Sequence, residues 1–305
     1  MAVIIREIPA NGWRFRCRVT THPGDPVILL HGFPETSHAW TEVMLELERA
    51  GYTCLAPDQR GYSPGARPLD VEAYALPRLA QDVVALADAL GFERVHLVGH
   101  DWGSAVGCTV LRKHAARVVS WSALSVPHIA SYLAGLDDPD QREKAKYIEH
   151  FLVPGLAEQT LSQDDLAALR AEWAQHCPDK SDEYASVFSQ PGALTAALNW
   201  YRANFAGGTR APGSLPFDVH TPALTLWGNR DPAVGRAAHL LERSLMKGPY
   251  RFVEWDAGHW LVHERRSDVI RELLAHFLAF PLSGAPAPQR TADAERRHGT
   301  DRGAG

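Results

Sequence analysis

Short apolar runs alternate with segments of helical periodicity along most of the chain. The apolar runs predict eight strands, at residues 3–8, 13–19, 27–30, 52–56, 95–98, 118–124, 223–227 and 250–255. Among the helical segments, residues 76–90 place Leu79, Val83, Leu86 and Leu90 on one face. Continuous apolar strands that alternate with helices are typical of a mostly parallel sheet flanked by helices. The pattern therefore predicts an α/β protein. Its first two strands lie on either side of Asn11-Gly12, which favours an antiparallel hairpin at one edge.

The alternation stops between residues 128 and 217, where only helical patterns occur. Four of them predict helices, at residues 140–151, 164–175, 182–188 and 192–204. Because strand-like sequence resumes at Ala223, we expect an insertion that forms a helical cap over the carboxyl edge of the sheet. The predicted core is residues 1–127 and 218–282, and the predicted cap is residues 128–217. Residues 283–305 lack periodic apolar positions and are expected to form a disordered tail.

Composition and charge exclude several classes of partner. The 305 residues include 31 Lys and Arg against 36 Asp and Glu, a net charge of -5, and no basic run indicates nucleic-acid binding. Because no stretch approaches the roughly 18 apolar residues of a spanning helix, membrane insertion is not expected. The four cysteines are widely spaced, which is typical of proteins in a reducing compartment. We therefore expect a cytoplasmic protein, as a monomer or homodimer.

The segment Gly99-His100-Asp101-Trp102-Gly103 has the pattern of a nucleophile elbow, with aspartate where the better-known version has serine. A predicted strand precedes it and a predicted helix follows it. Small residues on both sides permit the sharp turn between them. A carboxylate attacks saturated carbon and becomes an ester of the enzyme, whereas a serine oxygen attacks carbonyl carbon. Asp101 is therefore the candidate nucleophile for a strained or halogenated electrophile.

An ester on Asp101 must be hydrolysed, which calls for a general base. His259 follows the last strand, in the chain order nucleophile, acid, histidine that this architecture requires. A neutral imidazole can accept a proton from water at cellular pH. The acid that orients it is expected at the end of an earlier strand, where Asp231 follows residues 223–227. Asp256 is only three positions before His259 and is interpreted as a loop-capping residue.

Two further groups complete the candidate site. The turn at His31-Gly32-Phe33 exposes a backbone N–H, and the N–H groups of Phe33 and Trp102 together predict an oxyanion hole. Opening an epoxide would also need an acid that stays protonated at neutral pH, as phenols do. Tyr147 and Tyr201 of the cap qualify, although a tyrosine at a helix interface is more often a packing residue.

Together these residues resemble the epoxide hydrolase branch of the α/β-hydrolase superfamily. The matching motifs are HGFPE at 31–35, GHDWG at 99–103, the turn at Asp231 and GHW at 258–260. In the cap, Asn199-Trp200-Tyr201-Arg202 is similar to the family motif with one ring-opening tyrosine, and Tyr147 precedes Pro154-Gly155 at the spacing of the other. The resemblance covers the chain to about Pro281. It implies an α/β-hydrolase fold with a mostly parallel eight-stranded sheet and a cap.

The resemblance also implies a reaction in two steps, with no metal and no organic cofactor. Asp101 attacks a carbon of a small apolar epoxide while Tyr147 and Tyr201 bind the ring oxygen and deliver a proton. Water activated by His259, which Asp231 orients, then hydrolyses the ester, and a vicinal diol leaves. The expected substrate-binding residues of the apolar pocket are Phe33, Trp102, Phe151 and Trp200.

Two other functions stay open from the sequence. Haloalkane and haloacid dehalogenases share the Asp–His–acid set, and Trp102 suits their halide site. Phe33, however, stands where many haloalkane enzymes have asparagine, and the tyrosine pair favours epoxides. A non-catalytic binding protein could keep the same fold. The complete set of nucleophile, base, acid and tyrosines argues against that alternative.

Overall fold

An eight-stranded sheet forms the centre of the molecule. The structure, a computed structural model, describes residues 1–205 and 216–282. The strands are β1 (Val3–Ala10), β2 (Trp13–Thr20), β3 (Asp25–Leu30), β4 (Tyr52–Pro57), β5 (Val95–His100), β6 (Val118–Leu124), β7 (Ala223–Gly228) and β8 (Tyr250–Trp255). Each predicted strand is present, within a few residues of its predicted ends.

The sheet is mostly parallel, in the order β1-β2-β4-β3-β5-β6-β7-β8. β1 and β2 form the predicted antiparallel hairpin, and β2 also pairs antiparallel with β4. The remaining neighbours run parallel. β5, β6 and β7 are buried along their whole length, because each is paired with a strand on both sides and helices cover the faces of the sheet. This burial explains their largely apolar sequences and confirms the predicted sheet.

Helices flank the sheet and extend beyond its carboxyl edge. They are α1 (Thr41–Arg49), α2 (Leu76–Ala89), α3 (Trp102–His114), α4 (Ile129–Gly135), α5 (Pro139–Lys144), α6 (Tyr147–Leu152), α7 (Leu156–His176), α8 (Ser181–Phe188), α9 (Ala193–Phe205), α10 (Arg236–Glu242), α11 (Leu261–Glu264) and α12 (Arg266–Ala279). α3 packs against β3, β5 and β6, with α2 beside it, and α1 lies beside α12. Within residues 1–205 and 216–282, no helix is long and apolar enough to cross a membrane.

Helices α4 to α9 all lie between β6 and β7. The prediction of a single helix at residues 140–151 is wrong, because the chain forms two short helices there, α5 and α6. They separate because α5 contacts the loop after β7, whereas α6 contributes Tyr147 and Ile148 to a cavity. A second break lies inside α7 at residues 163–166, where the predicted helix at 164–175 was expected to begin. Residues 206–215 of the predicted cap, and the predicted tail at 283–305, lie outside the described residues.

Buried and half-buried charged groups join α8 to the core. Glu183 of α8 pairs with Arg16 and Arg18 of β2, and Arg16 also bonds to Asp58 after β4 at 2.7 Å. Just before α8, the buried Lys180 pairs with Glu42 of α1 at 2.5 Å. Removing one partner of such a pair would leave a buried charge without compensation. These pairs therefore fix this part of the helical insertion against the edge of the core.

Candidate active site

Asp101 lies on a strained turn between β5 and α3. Its backbone has φ 53° and ψ -120°, a region that residues other than glycine rarely occupy. The turn also requires glycine at the start of the helix, because a Cβ atom on Gly103 would lie 2.1 Å from the carbonyl oxygen of Leu30. Asp101 thus has the elbow geometry that the sequence predicts, at the carboxyl end of a central parallel strand.

The loop after β3 brings a backbone donor to the Asp101 carboxylate. The N–H of Phe33 donates to Asp101 Oδ1 at 2.9 Å. Gly32 makes this approach possible, because a Cβ atom there would lie 2.3 Å from the same oxygen. Trp102 is the first residue of α3, so its N–H has no partner within the helix. It makes no hydrogen bond to the carboxylate in the part of the chain that the structure describes, so its role in an oxyanion hole stays a prediction.

His259 and Asp231 lie beside Asp101. The His259 Nε2 atom is 3.5 Å from Asp101 Oδ2, and its Nδ1 atom is 2.7 Å from Asp231 Oδ2. The backbone N–H groups of Ala233 and Val234 donate to Asp231 Oδ1 at 2.7 and 2.9 Å. The other candidate acid, Asp256, is exposed and pairs instead with Arg230 on the surface. The structure therefore brings Asp231, and not Asp256, to the histidine.

The charges of this site shift its pKa values in opposite directions. Burial disfavours the charged imidazole, but the Asp231 and Asp101 carboxylates outweigh burial and hold the pKa of His259 well above its usual value. Burial also opposes ionisation of Asp101, yet His259, His100 and the Phe33 N–H together lower the pKa of that carboxyl. The free site therefore pairs an ionised Asp101 with a charged His259. Any reaction that neutralises Asp101 removes one of the two carboxylates that keep the imidazole protonated.

Two tyrosines of the helical insertion face the same cavity as Asp101. Tyr147 begins α6 and Tyr201 lies in α9, and their ring centroids are 6.2 Å apart. Tyr201 also meets the Trp102 ring edge-on, with centroids 4.9 Å apart. Burial, and then neighbouring phenols and the Asp101 charge, raise the pKa of both hydroxyls well above the usual value. Both groups therefore stay protonated hydrogen-bond donors, although 37% of Tyr147 is open to solvent.

The wall of the cavity is mostly apolar. The wall consists of Asp101, Trp102, Ala105, Val126, Ile129, Tyr132, Tyr147, Ile148, Tyr201, Phe205, Ala233 and Val234. The structure thus places Trp102, Tyr147 and Tyr201 together with Asp101, as the sequence predicts. The cavity also includes Tyr132, which the sequence analysis left unassigned.

Three of the expected substrate-binding residues are not among the residues that line the cavity. Trp200 is fully buried behind Trp102, and its indole N–H donates to the Arg60 carbonyl oxygen at 2.9 Å. Phe33 and Phe151 are also absent from the cavity wall, and their rings pack against Tyr201 with centroids 5.7 and 5.0 Å apart. Phe33 and Phe151 therefore pack against Tyr201, and Trp200 packs against Trp102, so all three side chains contact residues of the wall. An aromatic residue in the sequence does not show whether its side chain will line the cavity or pack against a residue that does.

A buried network behind His259 was missed by the sequence analysis. Glu35 lies 2.9 Å from His100 Nδ1 through Oε2 and 2.7 Å from His263 Nε2 through Oε1. His100 donates from Nε2 to the His259 carbonyl oxygen at 3.0 Å, so the network positions that backbone. The only sequence signal was the glutamate of HGFPE.

Neither this cluster nor any other in residues 1–205 and 216–282 has the arrangement of three or more His, Cys, Asp or Glu that could hold a metal ion.

Helix α5 holds the loop that carries Asp231. The buried Gln141 donates through Nε2 to the Ala233 carbonyl oxygen at 3.0 Å and accepts through Oε1 from the Gly235 N–H at 2.8 Å. Lys144 Nζ donates to the carbonyl oxygen of Asp231 itself at 2.9 Å. The position of Asp231 therefore depends on a helix of the insertion. No pattern near residue 231 indicates this contact.

Known proteins resemble this chain in sequence and in fold. A family model described as "alpha/beta hydrolase fold" matches residues 25–265. Epoxide hydrolase A of Mycobacterium tuberculosis is 34% identical, over 91% of this chain and 98% of that protein. Human epoxide hydrolase 4 is 29% identical, over 89% of this chain and 77% of that protein. The crystal structure of epoxide hydrolase A from Mycobacterium thermoresistibile superposes with a TM-score of 0.76 at 28% identity, covering 92% of this chain and 100% of that one.

Proposed function

This chain belongs to the epoxide hydrolase branch of the α/β-hydrolase superfamily, and we propose that it hydrolyses epoxides to vicinal diols through a covalent ester on Asp101. The observation that carries the proposal is the meeting of a carboxylate and two phenols at one apolar cavity. A carboxylate suits attack on saturated carbon. The phenols suit a leaving oxygen that stays attached to the product and needs a proton.

In the first step, a carboxylate oxygen of Asp101 bonds to an epoxide carbon while the ring C–O bond at that carbon breaks. The Phe33 N–H holds Oδ1 at 2.9 Å. Among the described residues, Oδ2 has only the 3.5 Å contact to His259, so Oδ2 is the proposed attacking atom. The ring oxygen gains the electron pair and takes a proton from Tyr147 or Tyr201. The second tyrosine donates a hydrogen bond to the same oxygen, and the apolar wall strengthens both interactions by excluding water.

In the second step, water releases the product. Esterification removes the charge of Asp101, so the pKa of His259 falls. The proton that His259 releases restores the phenol that was deprotonated in the first step, and the neutral Nε2 becomes a base. Nε2 takes a proton from water as the water oxygen attacks Cγ of Asp101. The Phe33 N–H then stabilises the negative charge on Oδ1, with the Trp102 N–H as the second proposed donor. The Cγ–Oδ2 bond breaks, and the diol leaves with Oδ2 and the proton from His259. The regenerated Asp101 carboxyl then gives its remaining proton to His259, which restores the charged pair of the free site.

Product analysis separates this function from dehalogenation. We expect diols from a panel of terminal, styrene-type and trans-disubstituted epoxides. We expect no enzymatic halide release from chloroalkanes, bromoalkanes and haloacids of similar size. Gas chromatography measures the diols and ion chromatography measures the halide. An Asp101→Ala variant provides the background for both. Halide turnover without diol from any epoxide would contradict the proposal.

The two steps should respond differently to pH. Alkylation needs ionised Asp101, whose pKa is lowered, and protonated tyrosines, whose pKa values are raised, so its rate constant should change little between about pH 5 and 9. Hydrolysis needs neutral His259, so its rate constant should rise about tenfold per pH unit up to the pKa of that histidine in the ester. Rapid quench with mass detection of the ester measures both rate constants. A pH profile of hydrolysis that is the same in a His259→Gln variant as in the wild-type protein would remove His259 as the base.

We also propose a division into core and cap, a cellular location and an oligomeric state. Residues 128–217 would act as the cap that supplies Tyr147 and Tyr201, on a core of residues 1–127 and 218–282. The steps above need only side chains and water, so no cofactor is proposed. Four buried free thiols support a cytoplasmic location, since a reducing compartment preserves them. A monomer or homodimer is proposed in solution, which sedimentation velocity would distinguish from a larger assembly.

A further inference from the structure

Tyr132 is a third tyrosine in the wall of the active-site cavity. It belongs to α4, which begins the insertion after β6. The residue is only 5% exposed, and its ring lies beside that of Phe205 with centroids 6.3 Å apart. The two-step mechanism uses Tyr147 and Tyr201 and gives Tyr132 no task. A phenylalanine would supply the same apolar packing, so the hydroxyl is the feature to be explained.

The Tyr132 hydroxyl has no hydrogen-bond partner among the described residues of the protein. The buried Tyr74, by contrast, donates to the Pro68 carbonyl oxygen at 2.6 Å. The hydroxyl of Tyr62 is also buried without a partner among the described residues, but Tyr62 is not a residue of the cavity wall. A buried hydroxyl without a partner costs stability, which favours phenylalanine at such a position. Tyr132, however, is a cavity residue, so a molecule in the cavity can reach its hydroxyl.

The surroundings make this hydroxyl a polar point in an apolar wall. Ala105, Val126, Ile129 and Ile148 line the cavity with it. The other hydroxyl and carboxyl groups of the wall belong to Asp101, Tyr147 and Tyr201, which the reaction itself occupies. The Asp101 charge also acts on Tyr132, so the hydroxyl lies near the reacting centre, and burial raises the pKa of this phenol above its usual value. Tyr132 is thus a neutral donor across the working pH range.

We propose that Tyr132 is a specificity residue that hydrogen-bonds an oxygen atom on a substituent of the epoxide. The favoured substrates are then terminal epoxides with a hydroxyl or ether oxygen on the carbon next to the ring. This position follows because the same cavity must hold the epoxide carbon at Asp101 and the ring oxygen at Tyr147 and Tyr201. The inference rests on the proposed function and sharpens the expected substrate from a purely apolar epoxide to one with a polar atom.

Glycidol and 1,2-epoxybutane test the proposal, because they differ only by a hydroxyl in place of a methyl group. Tyr132→Phe is expected to lower kcat/KM for glycidol by about tenfold, the upper range for one hydrogen bond. It should leave kcat/KM for 1,2-epoxybutane within about twofold, since no bond to that substrate is lost. Tyr52→Phe is the matched control: this buried phenol packs on His96 and Phe277, away from the cavity, and should leave both substrates unchanged.

Three results would overturn the proposal. Equal losses on both epoxides would make Tyr132 a packing residue or a third ring-opening donor. Unchanged kinetics on both would remove it from substrate binding. If the wild-type protein opens neither of these epoxides nor any other of the panel, the proposed function itself fails and this inference fails with it. Thermal unfolding of Tyr132→Phe confirms that a kinetic change does not reflect a misfolded variant.

Discussion

Replacing His259 by glutamine is expected to stop the reaction at the ester. Glutamine has no nitrogen that can accept a proton from water, so hydrolysis should slow by about 10³-fold or more. Attack by Asp101 does not use this base and should continue. After incubation with styrene oxide, intact-mass spectrometry should show one epoxide mass added per chain. Peptide mapping should place the added mass on Asp101.

His22→Gln is the matched control for this experiment. This histidine lies on the exposed connection between β2 and β3 and pairs with Glu48, so its loss should leave turnover unchanged and give no adduct. A folded His259→Gln variant without an adduct from any epoxide of the panel would contradict the nucleophilic role of Asp101. An adduct on another carboxylate would assign that role elsewhere.

Removing both phenols of Tyr147 and Tyr201 is expected to block the first step instead. The ring oxygen would leave as an alkoxide without a donor, and one lost donor of this type costs about 10²–10³-fold in rate. The double variant Tyr147→Phe with Tyr201→Phe should therefore lose about 10⁴-fold or more in alkylation, and each single variant less. Single-turnover experiments with enzyme in excess measure the appearance of the ester.

Combining the two tyrosine substitutions with His259→Gln separates an effect on ester formation from an effect on ester hydrolysis. The triple variant should accumulate no ester over times at which His259→Gln alone is fully modified. Tyr52→Phe, which removes a buried hydroxyl outside the cavity, should not change the rate of ester formation. Unchanged alkylation in the double variant would remove the tyrosines from the mechanism and reopen dehalogenation as the better function for this site.

Local sequence was sufficient for the sheet and for the elbow. Buried parallel strands must be apolar along their length, so they are visible as runs, and the glycines beside Asp101 are needed by the turn itself. His259 and Asp231 could be selected because each follows a strand, and strand ends of a parallel sheet meet at one edge. The sheet, the elbow and the two residues at strand ends could therefore be predicted from the order of strands and turns along the chain.

The features that sequence could not predict depend on which way a helix of the insertion faces. Gln141 and Tyr132 lie on short helices, and only the packed structure shows that one meets the Asp231 loop and the other meets the cavity. The link from Glu35 to His263 joins residues 228 positions apart. The position of Trp200 outside the cavity wall could not be predicted for the same reason. A tryptophan that packs against Trp102 has the same local sequence pattern as one that lines the wall.

The source of the oxygen in the first molecule of product tests the central claim most directly. The ester route gives the diol an oxygen from Asp101 and leaves the water oxygen on the enzyme. In a single turnover in ¹⁸O-water with enzyme in excess, the diol should therefore contain no ¹⁸O, and the peptide with Asp101 should gain one ¹⁸O atom. A diol labelled in that first turnover, with an unlabelled Asp101 peptide, would show direct attack by water and contradict the ester on Asp101.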